Sequence, residues 1–275
     1  MKNRLIVAGV GIPALLLIIF LAPLWGWAIV VAVMAAFCAW ELLHTVMGEG
    51  FRRRFGVYAA LAAAAIPIGT VFGAETIVLR VVPFALFFVL FLEMMISYEY
   101  GEGKVRFFDV AAGLFGGVVL SLMLTALVRL GANTPKAAWI LLVFVIVWIT
   151  DSGAYFVGCS FGKHKLAPKL SPKKSIEGAL GGLAAAIVGT MLFGLVLKLC
   201  GCWVHFGALA LYGLLGSIAG QLGDLAFSAI KREYGVKDYS NLLPGHGGML
   251  DRFDSTIFAA PLLEILALWI TAFGK

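Results

Sequence analysis

Long apolar runs separated by short charged loops dominate the chain. A hydrocarbon core about 30 Å thick needs roughly 20 apolar residues in helical form. Nine stretches reach or approach that length: about 5–23, 24–47, 57–74, 76–98, 108–130, 137–158, 176–200, 203–230 and 249–273. Pro23-Leu24-Trp25 divides the first two. Prolines and glycines inside the other runs do not exclude membrane helices, because neighbouring helices can re-satisfy the backbone groups they free. No heptad, low-complexity tract or internal repeat is visible, so the sequence gives no sign of a transporter built from inverted repeats. The opening MKNRLIVAGVGIPALLLIIFLAP resembles a signal peptide, but no small-residue cleavage site leads into a soluble domain, and it reads as the first span. The expected fold class is all-α: a polytopic integral membrane protein of about nine transmembrane helices.

Composition agrees with that pattern. Of the 275 residues, 62% are hydrophobic and 13% charged, against roughly 25% charged in a soluble domain. The 33 glycines suit close helix packing in lipid. The four cysteines, Cys38, Cys159, Cys200 and Cys202, lack CxxC spacing and are expected as free buried thiols, with Cys200-Gly-Cys202 as a metal or redox pair the less favoured reading.

The net charge of +6 matters through its sidedness, and no nucleic-acid partner is expected. With nine spans, the N-terminus shares a side with loops near 48–56, 99–107, 159–175 and 231–248, and that side holds 16 of the 21 Lys and Arg. The positive side is expected to be cytoplasmic, placing the N-terminus and these loops inside and the C-terminus outside a cytoplasmic (inner) membrane. Polar groups are sparse before about residue 105, where Glu41, His44 and Glu93 lie near helix ends. Residues 1–105 therefore read as a transmembrane scaffold. Residues 106–275 read as the catalytic region, with working loops at 159–175 and 231–248.

Three clusters carry candidate chemistry. The first is 150-TDSGAYFVGCSFGKHKLAPKLSPKKSIEG-178. Asp151 lies in an apolar run, where an ionised carboxylate is costly and usually functional or paired. Lys163, Lys165, Lys169, Lys173 and Lys174 follow, alongside His164. Such a run can simply fix topology and attract anionic headgroups. Its Gly, Pro and Ser punctuation instead suggests an ordered loop, with Ser171 or Ser175 capping the next helix and backbone amides beside lysines forming a phosphate cradle. The second cluster is 220-GQLGDLAFSAIKR-232, in which Gln221, Asp224 and Ser228 share one helical face. That stripe marks a bundle interior or watery cavity, or else an ion pair from Asp224 to Lys231, Arg232 or Arg252. The third is 244-PGHGGMLDRFDS-255, with Asp251 and Asp254 one turn apart around Arg252. One of these carboxylates can be an ordinary helix cap. Several near one membrane depth require a compensating cation, and oxygen-rich sites suit Mg²⁺ together with substrate phosphates. His246 can act as acid or base, as a donor to phosphate, or as a structural loop residue. Acidic residues for metal, lysines for phosphate and glycines for close backbone approach together fit transfer of a phosphorus group to or from a lipid.

The run S-A-I-K-R-(4)-K-D-Y-S-N-L-L-P-G-H-G-G-M-L-D-R-F-D, residues 228–254, resembles the signature of the phosphatidate cytidylyltransferase (CDP-diacylglycerol synthase) family. D-S-G-A-Y-F-V-G…F-G-K-H-K-L-A-P-K-L-S-P-K-K-S-x-E-G is similar to a second block of that family. Cys159-Ser160 stands where many members carry a basic residue, and Ile176 where Trp is common. The resemblance implies CTP + phosphatidate → CDP-diacylglycerol + pyrophosphate, with Mg²⁺, a second cation such as K⁺, and a homodimer. It implies metal binding by Asp224 and Asp251, supported by Asp254 and Asp151. Lys173, Lys174, Lys163 and Lys165 would then neutralise the nucleotide phosphates. His246, Gly247 and Gly248 would lend donors, and Ser228, Lys231, Arg232 and Arg252 would hold the lipid phosphate.

Two other classes compete. A CTP-dependent polyprenol or phytol kinase shares parts of these motifs but releases CDP. An ion-coupled transporter would also place Asp151 and Asp224 inside the membrane, but would not need the lysine loop or the Gly-Gly turn. The D-G-x-x-A-R pattern of alcohol-accepting phosphotransferases is absent.

Overall fold

A computed structural model describes residues 2–50, 53–101, 105–242 and 247–274. Arg52, Lys104 and Lys275 of the charge pattern, and Pro244, Gly245 and His246 of the third cluster, lie outside the described residues.

Among the described residues nine helical rods occupy the nine apolar runs: α1 Lys2–Leu21, α2 Leu24–Met47, α3 Arg53–Val71, α4 Glu75–Glu99, α5 Phe107–Gly131, α6 Lys136–Phe161, α7 Ile176–Leu199, α8 Phe206–Glu233 and α9 Leu250–Trp269. Seven of them, α2 to α8, are long and apolar enough to cross a membrane. The described apolar part of α1 runs Gly11–Leu21, and α9 carries Asp251, Arg252, Asp254 and Glu264. Pro23 separates α1 from α2 as expected, with its ring-fixed φ of −63° and an extended ψ of 167°. The chain is thus an all-α polytopic membrane protein, with four short strands added. Large apolar side chains such as Phe84, Phe88, Leu180 and Leu195 are exposed on the helices, as expected where lipid replaces water as the neighbour.

The chain divides into two compact units, Met1–Val128 with Tyr234–Arg252, and Arg129–Glu233 with Phe253–Lys275. In the first, Trp27, Ala35 and Cys38 of α2 and Phe55, Ala59 and Ala63 of α3 are fully buried. Trp27 Nε1 donates to the Leu127 carbonyl at 3.2 Å, and Ser121 Oγ to that of Ala63 at 2.6 Å. Within α5 a π-helical turn spans Phe115–Leu120. A Cβ at Gly117 would come within 2.6 Å of Leu86 and 3.2 Å of the Ala59 backbone, so the turn depends on glycine to approach its neighbours.

In the second unit α6 and α7 meet through glycines on each helix, onto which the facing backbone and side chains such as Val157 and Ile149 pack. A Cβ at Gly182 would lie 2.7 Å from the Thr150 carbonyl, and one at Gly178 would lie 2.8 Å from that of Ala154. Small residues four apart permit this approach, in the manner of membrane helix pairs generally. Gly213 lets α8 close on α7 in the same way, its missing Cβ falling 2.6 Å from Thr190 Oγ1. Between α6 and α7 the lysine loop forms a hairpin of β1 Lys165–Ala167 and β2 Ser171–Ser175, with Lys165 opposite Ser175 and Ala167 opposite Ser171. Ser175, not Ser171, caps α7 by accepting the Gly178 N–H at 3.1 Å. The last helix stops at Trp269, four residues before the expected 273. Phe273–Gly274 (β4) leaves helical geometry to pair with Trp203–Val204 (β3), seating Phe273 against Trp139 with ring centroids 4.5 Å apart.

None of the four cysteines forms a disulfide. Cys38 and Cys202 are buried, but Cys159 and Cys200 are exposed, correcting the expectation that all would be buried. Each exposed cysteine sits near an end of a helix, beyond the packed helix faces.

Replacing Gly182 with Val should destabilise the protein by roughly 1–3 kcal/mol, the usual cost of overpacking. Thermal unfolding in detergent would show this as a lowered midpoint for Gly182→Val. Gly11→Ala, where nothing lies within 4 Å, should leave the midpoint unchanged.

Candidate active site

The second unit contains a cleft of about 450 Å³ beside the hairpin. Asp151, Tyr155 and Cys159 of α6 line it, as do Lys165, Lys173 and Lys174 of the hairpin and Gln221 of α8. It exists because Gly158 and Gly178, also in its lining, keep α6 and α7 close without filling the space between them. The hairpin is fixed at both ends. Glu177 accepts the N–H groups of Lys163 at 3.1 Å and His164 at 3.2 Å, and pairs with His164 Nδ1 at 2.6 Å. At the far turn Arg232 Nε donates to the Leu170 carbonyl at 3.3 Å, so α8 also steadies the loop.

Asp224 forms an ion pair with Lys174, both side chains being partly exposed. Ser228 Oγ donates to Asp224 Oδ1 at 3.3 Å, completing the polar stripe predicted along α8. Gln221 joins that stripe differently, donating to the Ala179 carbonyl at 3.3 Å and to Ser217 Oγ at 3.2 Å. Asp224 therefore pairs with the hairpin Lys174, a partner outside the three cations, Lys231, Arg232 and Arg252, that the alternative reading of the sequence named. A β-hairpin carries Lys174 back over α8, which the sequence separation of 50 residues concealed. Asp254 is buried and close enough to interact electrostatically with Asp224, Asp151 and the buried Lys231. Its backbone also sets the approach of α9 to α8, since a Cβ at Gly223 would lie 2.6 Å from the Asp254 carbonyl.

The remaining predicted residues belong to the first unit. Asp251 is buried, and its Oδ2 accepts the N–H of Tyr239 at 2.8 Å and of Gly248 at 2.9 Å. Gly247 has φ +83°, in the left-handed region where a side chain is strained, and its Cβ would also meet Asp251 Oδ2 at 2.9 Å. Arg252 is exposed. Asp224 and Asp251 thus fall in different compact units, and the structure supplies each with its own set of partners. The sequence reading missed Glu41. It had been set aside as a scaffold residue near a helix end, yet its carboxylate is buried and bonded to the segment leading into Asp251. Its signal was a carboxylate in an apolar run, the same signal that singled out Asp151.

Among the described residues no three His, Cys, Asp or Glu side chains form a ready-made metal cage. The donor chemistry nonetheless suits Mg²⁺, which takes oxygen ligands and usually binds through one or two carboxylates plus substrate phosphates. Asp151, Asp224 and Asp254 are the carboxylates of this unit that could supply such oxygens, and Asp224 already faces a cation in Lys174.

The sequence matches the Cytidylyltransferase family over residues 2–270. It is 53% identical over 122 residues to the phosphatidate cytidylyltransferase of Bacillus subtilis (strain 168), covering 44% of each chain. It is 51% identical over 130 residues to the protein of that name from Staphylococcus haemolyticus (strain JCSC1435), covering 46% of this chain and 48% of the relative. The protein of the same name from Staphylococcus aureus (strain COL) is 49% identical over 130 residues, with the same shares. In these matches the chain spans about half the length of the curated relatives. The family match runs nearly end to end, and the chain belongs to the Cytidylyltransferase family.

Proposed function

We propose that this protein is a phosphatidate cytidylyltransferase, converting CTP and phosphatidate to CDP-diacylglycerol and pyrophosphate in phospholipid biosynthesis. The observation that carries the reading is the cleft in which Lys165, Lys173 and Lys174 face Asp151 beside the Lys174–Asp224 pair. It offers cations for a triphosphate and carboxylates for a divalent ion within one lined space. The family match and the names of the bacterial relatives agree with it.

A phosphate oxygen of phosphatidate attacks the α-phosphorus of CTP. A P–O–P bond forms as the bond to the bridging oxygen of the β-phosphate breaks, and pyrophosphate leaves with those electrons. The nucleophile is already ionised at neutral pH, so no side chain has to remove a proton. The obstacle is repulsion between two anions, and positioning with charge neutralisation is what lowers it. Lys165, Lys173 and Lys174 offset the charge of the triphosphate and then of pyrophosphate. Glu177 keeps the hairpin in place by holding the amides of Lys163 and His164. Asp224, Asp251, Asp254 and Asp151 are the residues proposed to hold Mg²⁺, which when bound would neutralise developing phosphate charge. Ser228, Lys231, Arg232 and Arg252 are proposed for the lipid phosphate, and Gly247 and Gly248 for backbone donation. The proposal includes a homodimer, a second cation such as K⁺, and a cytoplasmic (inner) membrane location with the hairpin and the N-terminus on the cytoplasmic side.

Purified protein given phosphatidate, labelled CTP and Mg²⁺ should yield CDP-lipid and pyrophosphate, and EDTA should stop the reaction. Formation of a lipid phosphate and CDP instead would identify a CTP-dependent lipid kinase. CTP-independent ion flux in liposomes, without turnover, would identify a transporter.

Asp224→Asn should abolish turnover while the protein stays folded in detergent, and near-wild-type activity would overturn its metal role. Lys174→Gln should raise KM for CTP about tenfold or more, as loss of a charged hydrogen bond worth ~1.5–3 kcal/mol requires.

Exposed Cys159 and Cys200 flank opposite ends of the α7 span and give a test of orientation. A membrane-impermeant maleimide should label Cys159 from the cytoplasmic side and Cys200 from the outside, each in a variant lacking the other. The reverse pattern would invert the topology.

A further inference from the structure

Glu41 lies six residues from the end of α2, in the run Ala-Ala-Phe-Cys-Ala-Trp-Glu-Leu-Leu. It is 3% exposed. A carboxylate so placed is costly unless donors surround it, and all three described donors lie about 200 positions further along the chain. Ser240 Oγ donates to Oε1 at 2.6 Å, Met249 N–H to Oε1 at 3.0 Å, and Leu250 N–H to Oε2 at 2.8 Å. The Met249 and Leu250 amides are orphan donors at the start of α9, which in most helices are satisfied by a cap within the same chain segment. Here a residue about 200 positions earlier does so.

Asp251 completes the pattern from the other side. It takes the amides of Tyr239 and Gly248, while Glu41 takes Ser240, Met249 and Leu250. The two carboxylates therefore bind alternating members of the same two short segments, 239–240 and 248–250. Neither set of bonds leaves the position of Asp251 free to drift. Gly248 is part of the fit, because a Cβ there would lie 2.8 Å from Glu41 Oε1. The Gly at that position of the signature is explained by a carboxylate outside the signature.

We propose that Glu41 is a positioning residue for the transferase reaction, clamping the segment that carries Gly248 and Asp251 from the helix α2. This rests on the functional reading above, in which Asp251 belongs to the site. Because every described partner of Glu41 is a donor, the role requires two acceptor oxygens. Glu41→Gln, equal in size, places an NH₂ group against a donor and breaks one arm of the clamp.

The test compares wild type, Glu41→Gln, Ser240→Ala and Gly248→Ala in detergent. Glu41→Gln and Gly248→Ala should each lower kcat by roughly 100-fold, the scale expected when a reacting group is displaced by about an ångström. KM for CTP should change little in both, and the thermal midpoint little in Glu41→Gln; Gly248→Ala, whose Cβ crowds the Glu41 carboxylate, should also lower the midpoint. Ser240→Ala, which removes one donor of three, should show a smaller loss of kcat. Hydrogen exchange at the Met249 and Leu250 amides should quicken in Glu41→Gln. If Glu41→Gln keeps wild-type kcat and wild-type amide protection, the clamp is wrong and Glu41 merely fills space. If kcat falls only in step with the thermal midpoint, the role is structural and the proposal is overturned. If the wild type itself forms no CDP-lipid, the functional reading fails, and exchange at the two amides still decides whether the clamp exists.

Discussion

Asp224 sits on a helix whose neighbours are mostly Leu, Ala, Gly and Phe, and an ionised carboxylate there is tolerable only beside a cation. The partner it finds, Lys174, comes from a hairpin 50 residues earlier in the chain. Bringing that lysine to α8 requires α6 and α7 to be close, the hairpin between them to be ordered, and α8 to lie along α7. The glycines at 158, 178, 182 and 213, the Ser175 cap and the Glu177 bonds to Lys163 and His164 each serve one of those conditions. Without the close packing, the hairpin would have no fixed base. Without the hairpin, Asp224 would lose the ammonium of its ion pair and keep only the Ser228 hydroxyl of the contacts described above.

The same glycines leave the cleft behind. Where α6 and α7 meet through glycines, no side chain from those positions fills the space beside the contact, and the hairpin lines that space with lysines. Packing and binding are thus one feature of the sequence read at two scales. A larger residue at these positions would separate the helices and fill the cleft together, which is a reason for so much glycine in a segment otherwise rich in helix formers.

The helices were legible because apolar length is a strong signal: all nine rods begin and end within a few residues of the apolar runs. The polar stripe of Gln221, Asp224 and Ser228 followed from helical spacing alone, and Ser228 does bond Asp224. What stayed hidden was set by contacts between segments far apart in the chain. Lys174 looked like one lysine among several, and only strand pairing of Lys165 with Ser175 gives it a fixed place. Glu41 looked like a residue near a helix end, because nothing within its own helix shows that the amides of Met249 and Leu250 need an acceptor. The β3–β4 pair was equally invisible, since two residues in each strand carry no periodicity.

The two carboxylates that the family resemblance implies as metal ligands are held by different kinds of partner, and the difference bears on how each can work. Asp224 faces the ammonium of Lys174, a single charge on a flexible stem that anionic phosphates attract equally well. That partner can be exchanged for another cation without unfolding anything. Asp251 is held by the backbone amides of Tyr239 and Gly248, and these cannot leave without moving the main chain at both residues. In the proposed reaction the exchangeable partner would suit a carboxylate whose surroundings change as charged substrate enters and leaves, and the amide-held one would suit a fixed position. Lys174 would then act as a placeholder for positive charge at Asp224, and Glu41 would belong with the fixed group around Asp251.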